Sequence, residues 1–71
     1  MTVKQYERKL KAANTITSFM GTLASRYTAK EMKLMWKRLE VMVGRYGMVF
    51  VADAIGKDRT GAELALLRYG R

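Results

Sequence analysis

The residue types in this chain of 71 amino acids offer few routes to catalysis and many to the binding of anions. Histidine and cysteine are both absent, so neither can supply a reactive base or a zinc ligand. A phosphate-binding loop is not formed, because Ala62 and Glu63 stand where a lysine and a serine or threonine should follow Gly61. We therefore expect a protein that is not an enzyme and that holds neither a metal nor a cofactor.

Positive charge is the dominant property of the sequence. Fourteen lysines and arginines stand against six aspartates and glutamates, which gives a formal net charge of +8 and a pI of about 10.2. Such an excess is typical of a protein that binds a polyanion, and nucleic acid is the commonest, ahead of an acidic protein surface or anionic lipid. Two clusters recur at helical spacing: Lys4, Arg8 and Lys11, and then Lys30, Lys33 and Lys37. Each cluster taken alone also fits a solvated helix face.

The length limits the architecture to a single small helical domain, residues 1–71. A chain of this size buries only about 60% of its unfolded surface, and no disulfide can reinforce the core. Self-association is the common remedy, so we expect a homodimer. No run approaches the roughly 20 apolar residues that a membrane span requires, and the basic N-terminus lacks the apolar segment of a signal peptide. A cytoplasmic protein that does not enter the membrane is predicted.

The spacing of apolar residues predicts an all-α fold of three to four helices, with two longer helices in residues 1–44. Thr2 can cap the first helix, which Gly21 can interrupt. Its apolar stripe comprises Val3, Tyr6, Leu10, Ala13, Thr17, Met20, Ala24 and Tyr27, widened by Ile16, Phe19 and Leu23. The second helix begins at a capping box of Thr28 with Glu31 and ends at Gly44. Its core face comprises Met32, Met35, Trp36, Leu39, Met42 and Val43, and Leu34 and Val41 form a smaller stripe that could meet a partner chain.

Residues 48–55 are ambiguous by composition. Their β-branched and aromatic residues favour a strand, but no second strand candidate exists to pair with it, so a short helix is predicted. A last helix follows, capped either by Asp58 or by Thr60 in a box with Glu63, and ends near Gly70. Residues 48–70 would then form a helix-turn-helix, the third and fourth elements of the fold.

Two small residues in this segment fit a helix-turn-helix. Ala52 would let the second helix cross closely, and Gly56, four residues later, can leave the first helix in the left-handed conformation. The following sequence, GKDRTGAELALLRYG, resembles the C-terminal helix-turn-helix of the Fis family, shared with the DNA-binding ends of bacterial enhancer-binding activators. The residues at matching spacings are Gly56, Arg59, Leu66, Tyr69 and Gly70, with Val51 and Ala52 in the preceding helix.

The resemblance implies a small basic DNA-binding protein, a dimeric helix-turn-helix transcriptional regulator or architectural factor. Residues 1–44 would dimerise, and residues 48–70 would bind duplex DNA. Lys57, Arg59 and Thr60 would lie at the start of the reading helix, with Arg59 the best candidate to contact guanine. The residues expected at phosphates are Lys30, Lys33, Lys37 and Arg45.

The leucines of the last helix support an alternative. Leu64 and Leu67 point away from the face made by Ala62, Ala65, Leu66 and Tyr69. A helix that reads a DNA groove should not expose two leucines, and Glu63 also reduces its basic character. Either another element buries these leucines, or the last helix meets protein. The alternative prediction is therefore a small phage-type inhibitor or adaptor that acts by binding another protein.

Overall fold

The computed structural model describes residues 2–69, and these residues form four α-helices with no strand. The helices are α1 (Val3–Ala24), α2 (Ala29–Tyr46), α3 (Met48–Lys57) and α4 (Arg59–Arg68). The predicted all-α class is confirmed, and so is the choice of a helix over a strand for residues 48–55. The predicted end of the last helix at Gly70 lies outside the described residues.

Local hydrogen bonds fix where the first two helices begin. The Thr2 hydroxyl accepts from the Gln5 amide at 3.2 Å, and the Gln5 side chain accepts from the Thr2 amide at 3.0 Å. Thr28 and Glu31 form the same reciprocal box at 3.2 and 2.9 Å. The Thr28 N–H donates to Glu31, and this bond lowers the pKa of the Glu31 carboxyl. Both predicted caps are confirmed, because their chemistry spans only three residues.

The last helix is capped by Asp58, whose carboxylate accepts from the Gly61 amide at 2.9 Å. The predicted box of Thr60 with Glu63 is wrong. Thr60 is the second residue of α4, and Glu63 instead accepts hydrogen bonds from two side chains of the α1–α2 connection. Asp58 is also the one residue between α3 and α4, so the turn is very short.

Three glycines predicted to end or interrupt helices lie inside them. Gly21 is within α1, Gly44 within α2 and Gly56 within α3, and Gly56 does not take a left-handed conformation. A glycine in a helix interior costs only about 1 kcal/mol relative to alanine, which packing of neighbouring apolar residues readily offsets. The end of α2 is instead Gly47, with φ of 90°, a region where residues with a side chain are strained.

The core lies between α1, α2 and α3, and α4 contributes Leu66. Its buried residues are Ala12, Ile16, Phe19, Met20, Leu23, Met32, Met35, Leu39, Val51, Ala52, Ile55 and Leu66. Of the apolar stripe predicted for α1, Met20 and the widening residues Ile16, Phe19 and Leu23 are buried, whereas Thr17 and Ala24 in the same half are exposed. Val3, Tyr6 and Leu10 are 73%, 60% and 50% exposed, because they lie about a third of a turn around α1 from the buried residues. Trp36, assigned to the core face of α2, is also exposed.

The most extensive helix contact joins α1 and α3, which run side by side in the same direction. Val49, near the start of α3, lines a groove with Arg8, and one turn later Ala52 lines it with Ala12. The small Ala52 thus faces α1, where two alanines permit a close approach. The helix α4 then crosses from α1 towards α2, since Leu66 and Leu67 near its end meet Arg38 of α2.

We expect opposite effects of alanine at the two glycines around the end of α2. A Cβ added at Gly44 or at Gly47 would meet nothing within 4 Å, so backbone conformation alone decides the outcome. Gly44→Ala should raise the free energy of unfolding by about 0.5–1 kcal/mol, because alanine favours a helix interior. Gly47→Ala should lower it by more than about 1 kcal/mol, because φ is positive there. Urea unfolding of both variants measures this, and the opposite ranking would contradict the helix boundary.

Candidate nucleic-acid interface

The clearest candidate for contact with nucleic acid is one face of α2, formed by Lys30, Lys33 and Lys37 and called here the α2 lysine face. All three side chains are exposed, on the side of the helix opposite the buried Met35 and Leu39. Their spacing of three and four residues spreads the three ammonium groups over about 10 Å of helix. None of the three has a carboxylate partner, since the one ion pair among residues 2–69 lies elsewhere. These charges are therefore available to an anion.

Arg45 lies on α2 beyond the α2 lysine face. It is exposed in the last turn, where a positive charge interacts favourably with the helix dipole. Around the helix axis it is displaced by about a quarter of a turn from the three lysines. It can extend a contact made by the α2 lysine face, but only along the edge of that face.

The residues predicted to read bases lie where α3 passes into α4. Lys57 is the last residue of α3, and Arg59 and Thr60 open α4; all three are exposed. The Arg59 guanidinium donates to the Ser18 hydroxyl of α1 at 3.4 Å, a long and exposed hydrogen bond. Glu63, one helical turn after Arg59, forms its ion pair with Arg26 instead.

The two groups of predicted site residues contact different parts of the fold. The α2 lysine face points away from the core, whereas Arg59 contacts α1 at Ser18. Elsewhere on α1, Arg8 and Lys11 line a groove of about 360 Å³ with Asp53 of α3. The spacing of Arg8 and Lys11 was visible in the sequence, but their approach to α3 was not.

The charge of each helix distinguishes α2 from α4. Five basic and two acidic residues give α2 a net charge of +3, whereas two basic and one acidic residue give α4 a net charge of +1. In addition, the Asp58 carboxylate already occupies the N-terminus of α4. An anion approaching the start of α4 therefore meets a negative charge, whereas on α2 the three lysines outnumber the one carboxylate on the same side, that of Glu40.

Two other basic residues hold α4 in place. The half-buried Arg38 donates to the carbonyl oxygens of Leu66 and Leu67, at 2.8 and 3.0 Å, which satisfies acceptors that the end of a helix leaves free. Arg26 donates to Glu63 at 2.7 Å, and the Tyr27 hydroxyl donates to the same carboxylate at 2.6 Å. Arg38 and Arg26 are thus engaged within the fold.

Comparisons with protein families, curated proteins and solved structures find no match to this chain. Among residues 2–69, no three acidic side chains come together as a metal ion would require. No described helix is both long enough and apolar enough to cross a membrane. The functional argument consequently depends on the chain's own geometry and charge.

The bond between Tyr27 and Glu63 makes stability depend on pH. Donation to Glu63 raises the pKa of the Tyr27 phenol, and partial burial acts in the same direction. Because the folded-state pKa is raised, the contribution is present below the unfolded value of about 10 and is lost as pH rises through the folded value.

Wild type should therefore melt at a higher temperature than Tyr27→Phe between about pH 7 and 9, and the gap should narrow above about pH 10. Circular dichroism melts of both proteins from about pH 7 to about pH 11 measure the difference in melting temperature. A gap that stays constant up to about pH 11 would contradict the assigned hydrogen bond.

Proposed function

We propose that this protein binds nucleic acid, and duplex DNA in particular, as a small basic factor of the cytoplasm. The observation that supports the proposal most strongly is the unpaired α2 lysine face on a chain with a net charge of +8. Lysines without carboxylate partners can replace the counterions condensed on a phosphate backbone, and the release of those counterions drives binding. This contact fixes position on the duplex without reading its sequence.

An architectural factor fits these features better than a sequence-specific regulator. Lysine is a flexible point charge that contacts phosphate, whereas base reading favours the planar fork of arginine. The α2 lysine face contains no arginine, and the Arg59 guanidinium is hydrogen-bonded to Ser18 of α1. The α2 lysine face by itself would therefore hold a duplex through its phosphates without reading its bases.

The Fis-like helix-turn-helix formed by α3 and α4 remains part of the proposal as a second contact. What supports it is the exposure of Lys57, Arg59 and Thr60 at the start of α4, where groove-reading helices present side chains to DNA. Arg59 would have to release the weak bond to Ser18, which an exposed guanidinium does easily. The α4 contact predicts sequence preference, and the α2 contact predicts none.

Binding to DNA should be strong and salt-dependent. We expect micromolar or tighter affinity for a random duplex at about 50 mM salt, falling steeply as salt is added. Replacing Lys30, Lys33 and Lys37 by glutamine should weaken binding at least about tenfold and reduce the slope of log K against log salt by up to about 2.7. Fluorescence anisotropy gives both quantities.

A variant with the same loss of charge on another face is the matched control. Replacing Lys4, Arg8 and Lys11 by glutamine also removes three charges, so a response to net charge alone would be equal in the two variants. The proposal requires the larger loss in the α2 variant. Equal losses, or no binding by wild type at about 50 mM salt, would contradict it. The Arg59→Ala variant should lose any preference among DNA sequences only if α4 reads bases.

A homodimer is also proposed, through Val3, Tyr6 and Leu10. These three residues form an exposed apolar stripe at three- and four-residue spacing on the first half of α1, which a second copy of α1 could cover. Sedimentation velocity at several concentrations should show a dimer that the pair Tyr6→Ser and Leu10→Ser converts to monomer. The exposed Leu64→Ser serves as control, and a wild-type monomer at high micromolar concentration would refute the dimer.

A further inference from the structure

A groove between α2 and α4 is lined in part by apolar side chains that remain exposed and lie outside the core. Two adjoining hollows of about 400 and 390 Å³ share Leu34 and Arg38 and together follow α2 from Leu34 to Val41. Leu64 and Leu67 of α4 complete the first hollow, and Tyr69 lines the second. Leu34, Val41 and Leu64 are 48%, 55% and 45% exposed, although each lies next to other apolar side chains.

The shape of this α2–α4 groove suits a helix. Leu34 and Val41 are seven residues apart, which separates them by about 10 Å, or two helical turns. An amphipathic helix presents apolar side chains at positions three, four and seven apart, and lays them into a groove of this length. The Leu64 side chain lies on α4, across the groove from Leu34, and could contact the apolar face of the same bound helix.

The charges around the α2–α4 groove are basic. Lys37, Arg38 and Arg68 line it, and the one carboxylate in its lining, that of Glu31, is engaged in the cap of α2. A second copy of this chain would bring another net charge of +8 against these residues. A nucleic acid would satisfy the positive charges but offers no aliphatic surface to cover the leucines. An acidic helix satisfies both requirements.

We propose that the α2–α4 groove docks an acidic amphipathic helix of a partner protein. The apolar side chains of that helix contact Leu34 and Leu64, and its carboxylates lie beside Lys37 and Arg68. The groove shares Lys37 with the α2 lysine face, whereas Lys33 belongs to that face and does not line the groove, so substitution at Lys33 distinguishes this proposal from the nucleic-acid one. It gives a role to Leu64, the α4 leucine that stays exposed, whereas Leu67 is partly buried against the core.

The test uses two synthetic helical peptides of matched length. The first carries leucines at positions three, four and seven apart with glutamates on both flanks, and the second replaces each glutamate by lysine. Titration calorimetry with the full chain should show binding of the glutamate peptide and none of the lysine peptide. Three substitutions in the groove should each lower the affinity for the glutamate peptide at least about tenfold: Leu64→Ser, Leu34→Ser and Arg68→Glu. Phe50→Ser, which removes an exposed aromatic residue outside the groove, should not.

The partly exposed positions chosen tolerate substitution, and circular dichroism verifies that each variant stays helical. The proposal would be overturned if the two peptides bound with equal affinity. It would also be overturned if wild type and the groove variants bound the glutamate peptide with equal affinity. So would loss of self-association in Leu64→Ser or Leu34→Ser, since a second copy would then be the occupant. Lys33→Gln should lower the affinity for DNA and leave the affinity for the glutamate peptide unchanged. This result separates the groove proposal from the nucleic-acid proposal.

Discussion

The side-by-side packing of α3 on α1 is the contact on which the rest of the structure depends. Ala12 and Ala52 line the groove between the two helices, and their small side chains let the backbones approach. This contact selects which face of α1 is buried. It leaves Val3, Tyr6 and Leu10 exposed, and α2 completes the core with its methionine-rich face inward. The α2 lysine face points outward as a direct consequence.

The helix α4 is attached in a different way from the other three. It buries one leucine completely, and much of its attachment comes from hydrogen bonds donated by Arg26, Tyr27 and Arg38. Leu67 is partly buried against the core, and because the polar contacts also hold the helix, Leu64 need not enter it. Leu64 is thus left at the edge of the α2–α4 groove, opposite Leu34. The α2 lysine face and the α2–α4 groove adjoin on α2 and share Lys37, because Leu34 and Val41 lie three and four residues from that lysine.

The sequence was sufficient for features that depend on near neighbours. The cap at Thr2, the capping box at Thr28 and the helical character of residues 48–55 were predictable, because they follow from spacing and composition. The end of α2 was not predictable, since Gly44 and Gly47 both fit a helix stop and only the start of α3 decides between them. Which face of α1 is buried was equally undetermined from the sequence. The exposed stripe of Val3, Tyr6 and Leu10 and the buried stripe of the second half both have helical spacing.

The candidate sites also combine features that near neighbours predict with features that depend on the tertiary structure. The α2 lysine face was visible as a spacing of like charges. The bond from Arg59 to Ser18 spans 41 residues, and the bond from Arg38 to Leu66 spans 28, so neither had a local signal. Which basic residues are engaged within the fold and which are free for a ligand therefore required the tertiary arrangement. The same holds for the meeting of Leu34 with Leu64, on which the protein-binding proposal depends.

The central claim is that the α2 lysine face is where nucleic acid binds. Amide chemical-shift mapping of the full chain during titration with a short random duplex tests it most directly. The account predicts that the amides around Lys30, Lys33 and Lys37 shift first and furthest, and that added salt reverses these shifts. Shifts confined to the start of α4 or to the first half of α1, with α2 unmoved, would contradict it.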